Sequence, residues 1–208
     1  MSIEVPYIPE GFHSNRGDGS VHASTIFRDE DLWNWFSNAL VSPQLWEIPH
    51  PYDIPMDASR RFQDYIPSIT ELGYRVWNIE HTTSANVKVE LKSRSDGRKE
   101  VLCGRADYLI SEGNTTSATR LNEVKCVVEI QSSSNVLHCE HQLLTYLFLM
   151  MNSEGLQNII GILVKTDDGN CRAFKAVRQP DGDAIYHSDD YFHICHITEV
   201  FQDIINSL

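Results

Sequence analysis

The residues best able to do chemistry in this 208-residue chain lie between Gly104 and Met151. Gly104-Arg105-Ala106-Asp107-Tyr108-Leu109-Ile110 sets an aspartate in an apolar run, and Lys125-Cys126-Val127-Val128-Glu129-Ile130-Gln131 sets a glutamate in another. Side chains alternate along a strand, so Lys125, Val127, Glu129 and Gln131 share one face, with Cys126, Val128 and Ile130 on the other. A carboxylate within a sheet needs a partner, and a bound cation is a common one. Two carboxylates with a main-chain carbonyl are hard oxygen ligands, suited to Mg2+ or Mn2+ ions that keep several waters and accept phosphate oxygens. Such an ion lowers the pKa of a water and neutralises charge on a phosphodiester. On the helix that follows, His138, Gln142 and Tyr146 recur at i, i+4 and i+8 among apolar residues. Facing the sheet, that stripe could bind substrate or order water over Glu129.

Each residue also has a plainer account. Asp107 suits a strand-end aspartate bonding a turn amide. Glu129 suits an edge strand with one wet face, and Gln142 and Tyr146 suit an exposed helix face. Only their combination and order point to a site. A zinc site is the rival, since His138-Cys139-Glu140-His141 and His193-Ile194-Cys195-His196 both supply ligand types. Neither has C-x-x-C or H-x-x-x-H spacing, and His138 and Cys139 diverge by about 100° on a helix.

The elements that must position these groups can be read in order. Residues 1–25 are rich in Pro, Gly, Ser and His without periodicity, which suits a loosely ordered arm. Asp29-Glu30-Asp31 before Leu32-Trp33-Asn34-Trp35-Phe36 suits a helix start. The stretch from Pro43 to Pro55 holds four of the eight prolines and reads as a connector. Asp57 or Ser59 can cap a helix bearing Phe62, Tyr65, Ile66, Ile69 and Leu72, with Pro67 restarting it and Gly73 ending it. Strands are expected at 74–79, 87–92, 101–110 and 124–131, with a hairpin turn at Ser95-Asp96-Gly97 and a polar loop at 111–119. A helix over 135–152 follows, then strands at 159–164 and 171–177 about a turn at Asp168-Gly169, and a further turn at 179–182. A short strand at 191–197 leads to a closing helix capped by Thr198. The order predicts an α/β (α+β) fold with one mixed central sheet flanked by helices. Residues 1–56 form an N-terminal arm and helical extension, and residues 57–208 the core domain.

Composition bounds the partners. Apolar content of 41% and charged content of 22% suit one globular domain. No apolar run approaches the roughly 18 residues of a membrane span, so no membrane partner is expected. The first residues lack a secretory layout, so an intracellular setting, cytoplasm or nucleus, is expected. Five scattered cysteines suit reduced thiols. A formal net charge of -12 disfavours loose sticking to nucleic acid. Residues 60–105 nevertheless carry nine Lys/Arg against six Asp/Glu, which leaves room for a basic channel.

Asp107, then Glu129-Ile130-Gln131, then Gln142-Leu143-Leu144-Thr145-Tyr146 resembles the PD-(D/E)XK nuclease superfamily. Within it, the pattern is similar to the Q-x-x-x-Y branch of RecB-like and lambda-exonuclease-like nucleases, over roughly residues 57–178. Gly161-Ile162-Leu163-Val164 and the hairpin after it also resemble the nuclease-like domains of Crinkler-type effectors. The resemblance implies a restriction-endonuclease-like fold and Mg2+-dependent cleavage of nucleic acid, DNA in preference to RNA. It makes Asp107 and Glu129 metal ligands, gives Gln131 the catalytic water, and makes Gln142, Tyr146 and His138 substrate-binding. One departure stands out: the family has Lys where this chain has Gln131, and Gln brings no positive charge. Lys125 or Lys165 could supply one, although Lys125 lies far along the strand. An acid on the first core helix would come from Asp57, Asp64 or Glu71. The other reading is a nuclease-fold module that no longer cuts and engages a protein partner.

Overall fold

The computed structural model describes residues 7–8, 20–22, 30, 33–34, 37–38, 41–48, 53–79, 87–93, 99–131, 136–180 and 182–208. The strands are β1 (Tyr7–Ile8), β2 (Ser20–His22), β3 (Val41–Trp46), β4 (Tyr74–Asn78), β5 (Val87–Ser93), β6 (Lys99–Gly104), β7 (Tyr108–Glu112), β8 (Val124–Gln131), β9 (Asn158–Lys165), β10 (Asn170–Gln179), β11 (Gly182–Ser188) and β12 (Phe192–His193). The helices are α1 (Ile66–Glu71), α2 (Val136–Glu154) and α3 (Ile197–Asn206).

The architecture is mixed α/β, a mixed eight-stranded sheet flanked by helices. Its order is β3-β11-β10-β9-β8-β7-β4, with β12 beside β10. Strands β8 and β9 are near-continuous apolar runs and take the centre, where both faces are covered. They pair in parallel, so the chain must cross over between them, and α2 is that crossover. Leu143 and Leu147 of α2 pack on one face with Val127, Leu163 and Phe174. On the other face Phe62 and Ile69 around α1, and Val200 and Phe201 of α3, pack on Cys126, Val128, Ile160 and Ile162. Gly161 lets α2 lie close, because a Cβ there would come 3.0 Å from Leu147 Cδ1. Strands β7 and β8 pair antiparallel, as do β4 and β7. No helix among the described residues is long and apolar enough to cross a membrane.

Several boundaries differ from expectation. The single strand expected over 101–110 is two strands in different sheets, because β6 leaves a smaller sheet of order β1-β5-β6-β2 before β7 enters the main one. Residues 7–8 and 20–22, expected in a loose arm, are the outer strands of that smaller sheet, paired parallel to β5 and β6. Part of the proline-rich connector is β3, an edge strand where a proline costs little. Strand β11 follows the turn at 179–182 and was not anticipated. The strand expected at 191–197 stops at His193 and tightens into a 3-10 turn, so the closing helix starts at Ile197 behind His196 rather than with Thr198 as its cap. A 3-10 turn at Phe62–Tyr65 precedes α1, which restarts with Pro67 in its first turn and ends before Gly73 at φ 90°. The hairpin turn at Ser95–Gly97 lies outside the described residues.

Candidate functional site

Asp107 occupies the step between sheets, after β6 ends and one residue before β7 begins. Its carbonyl accepts the Ile79 N–H at 2.9 Å, tying the end of β4 to the step. Its Oδ2 accepts the Ile130 N–H at 2.8 Å. The aspartate is thus fastened beside Glu129. Glu129 lies within β8, between β7 and β9, and is only 4% exposed. The Asp107 main-chain N–H hydrogen-bonds its carboxylate, yet its Oε2 is buried with no hydrogen-bond partner. Burial first, and the neighbouring Asp107 charge second, push the Glu129 carboxyl well above the usual carboxylate range.

Helix α2 closes over this pair. Tyr146 is 2% exposed, its hydroxyl accepts a hydrogen bond from the Gln142 carboxamide, and it hydrogen-bonds the main chain of Arg105. Burial and then the charge on Glu129 push its phenol up. The Gln131 carboxamide hydrogen-bonds the Cys139 thiol, while its Oε1 is buried without a partner. Burial, with the charges of Glu129 and then Asp107, pushes that thiol to about 12. The stripe facing the sheet is therefore Cys139, Gln142 and Tyr146, at i, i+3 and i+7. In the sequence, the signal for Cys139 is its spacing to Gln142 and Tyr146 rather than its neighbour His138. The side chain of His138 lies outside the described residues.

Strand β8 is interior, so Glu129 does not face a wet edge. Tyr146 is buried, so it does not belong to an exposed helix face. Asp107 does bond a main-chain amide, that of Ile130, but in the neighbouring strand rather than in a turn. Asp57, Asp64 and Glu71 are all exposed. The helix they flank packs on the sheet face opposite α2, so none joins the carboxylates. Lys125 pairs with Glu112 at 2.9 Å, near the opposite end of β8 from Gln131. Lys165 is in register with Gln131. The side chains of residues 87–102, which include part of the basic stretch, lie outside the described residues.

A second polar cluster spans α2, β10 and β11. Arg172 Nη1 lies 3.3 Å from Glu140 Oε2, and His187 Nδ1 lies 3.4 Å from Glu140 Oε1 without hydrogen-bonding geometry. Burial, then the Arg172 charge, lowers His187 to about 4. Burial raises Glu140 despite Arg172.

No family model matches this chain, and no curated protein matches it. Among solved structures, one described as the crystal structure of SSO0001 is similar at 16% identity and a TM-score of 0.31, covering 94% of this chain and 79% of that one. So loose a superposition bears on no residue of the site.

The donor set fits a hard divalent cation. Glu129 offers a buried oxygen with no hydrogen-bond partner beside a second carboxylate, and a dry anionic oxygen is stabilised by a cation. Among the described residues no group of three or more His, Cys, Asp and Glu converges on one point. Two carboxylates suit Mg2+, which keeps waters in its other positions, better than zinc, which takes three or four protein ligands.

Proposed function

We propose that this chain is a metal-dependent nucleic-acid phosphodiesterase of PD-(D/E)XK type, with Mg2+ or Mn2+ held by Asp107 and Glu129. The observation that carries this is the buried Glu129 Oε2, which has no hydrogen-bond partner and lies next to a second carboxylate. When bound, the ion would supply charge neutralisation at the phosphate and a more acidic water. Asp107 orients the pair through its bond to Ile130 N–H, and Gln142 with Tyr146 shields the carboxylates from bulk water. Gln131 can orient a water through its free Oε1 but cannot supply charge. Asp107, Glu129 and Gln131 are the groups assigned to the reaction, with Gln142 and Tyr146 in support.

A second reading has its own observation. The Gln131 carboxamide is engaged by the Cys139 thiol, and no cation stands in its place on β8. That arrangement favours a nuclease-fold module that binds without cutting. Calorimetric titration with Mn2+ and Mg2+ separates the readings, run on wild type, Asp107→Ala and Glu129→Ala beside a cleavage assay on DNA and RNA. Metal binding lost in both variants, with metal-dependent cleavage, supports the enzyme. Binding without cleavage supports the module. The absence of site-dependent binding at millimolar metal overturns the phosphodiesterase.

A further inference from the structure

Across the ends of β8 and β9, Gln131 is in register with Lys165. The N–H and hydroxyl of Thr166 both donate to the Gln131 carbonyl, at 2.8 and 3.2 Å, which fixes the two strand ends together. Lys165 lies two residues beyond Leu163 and so shares the sheet face that carries Glu129. Its ammonium is 4.2 Å from the centroid of the Tyr191 ring, and Arg172 Cζ is 5.5 Å from the same ring. Tyr191 is 40% exposed. Arg120, Lys125, Arg172 and Arg178 are each paired with a carboxylate, whereas among the described residues none lies within ion-pair distance of Lys165. Among the described residues the ammonium thus has no ion-pair partner, and Lys165 stands one strand from Gln131, about 4.8 Å at the backbone, and diagonal to Glu129, which is opposite Leu163.

Position and pairing together decide its role. A lysine serving the attacking water would stand beside the carboxylate pair. One pinned to an exposed ring, a strand away, meets the next part of a bound polymer. We propose that Lys165 and Tyr191 form a subsite for single-stranded nucleic acid, in which the ammonium contacts a phosphate flanking the one at Asp107 and Glu129. The exposed part of the Tyr191 ring stacks an adjoining base, which only an unpaired strand can offer. This inference rests on the phosphodiesterase reading of the carboxylate pair. Exposed Asp167, Asp168 and Asp190 surround the same corner, so the subsite is one placed cation and a ring rather than a broad basic groove.

The test is fluorescence anisotropy of the full chain with fluorescein-labelled oligothymidylate in Ca2+, across a salt series, alongside Mn2+ calorimetry. Lys165→Gln is expected to reduce the log–log salt slope by about 0.7, the value of one contact to a single strand. Lys165→Arg keeps the slope. Tyr191→Ala weakens binding by roughly 5–150-fold with the slope retained, as loss of one stacked base requires, and Tyr191→Phe binds as wild type. An unchanged slope in Lys165→Gln, with Mn2+ binding intact, overturns the subsite and leaves the metal reading standing. A lost slope without Mn2+ binding supports the subsite and overturns the metal reading. Wild type that binds neither oligothymidylate nor Mn2+ overturns both.

Discussion

At the scale of single residues, the energetics centre on Glu129. Its folded pKa lies above its unfolded value, so the protonated form is favoured in the folded state. The stability this gives is fully present below about pH 4.3 and is lost as pH rises through the raised value. Metal-free wild type should therefore weaken with rising pH over that window, and Glu129→Gln should abolish the slope in denaturant titrations. Above the window the variant should be more stable by about 1–3 kcal/mol, the size of one unsatisfied buried group. Metal affinity should climb with pH over the same interval, because the cation binds the ionised form. His187 acts with the opposite sign. Lowered to about 4, it contributes stability present above about pH 6.5 and lost as pH falls toward 4. Replacing it with Gln should remove the acid-side loss in a chemical-denaturation pH series.

At the scale of elements, the site is held by how closely α2 lies on β9. Leu143 and Leu147 are fully buried against Gly161, so neither can yield space to a new methyl. Gly161→Ala should destabilise by roughly 1–3 kcal/mol, as overpacking does. Because α2 carries Gln142 and Tyr146, it should also weaken Mn2+ binding measured by calorimetry. This scale was the most legible in the sequence. The runs at Val124–Gln131 and Ile159–Val164 have only one stable place, a covered sheet centre, and the long apolar run between them has only one way to join them. What escaped was set by distant partners. Gly104, Ala106 and Asp107 are poor strand formers, but a dip so short between two apolar runs does not by itself mark a passage between sheets. The two-residue strand β1 and the three-residue strand β2 carry no period long enough to read, and β11 shows no clear alternation of apolar and polar residues. The carboxylate pair was visible as types in order, whereas the thiol beside it was not, because a buried cysteine also serves as plain packing.

At the scale of the whole molecule, charge and binding are linked. A chain of net charge -12 repels a polyanion unless cations intervene. Oligonucleotide binding should therefore require a divalent ion and disappear with a chelator, which anisotropy with and without EDTA measures. A metal that binds only the folded chain at 100 times its Kd should add about 2.7 kcal/mol of stability. Thermal unfolding should show that gain in wild type and not in Asp107→Ala. The smaller sheet gives Asp107 a further significance. The residue sits on the three-residue span leaving β6, and its carboxylate is bonded to β8 in the main sheet. It ties the strand that leaves the smaller sheet to the main sheet, so in the proposed metal site a shift of the β5–β6 pair would reach Asp107 before Glu129. Substitutions in β5 or β6 would then tune the proposed grip on a cation without altering either carboxylate.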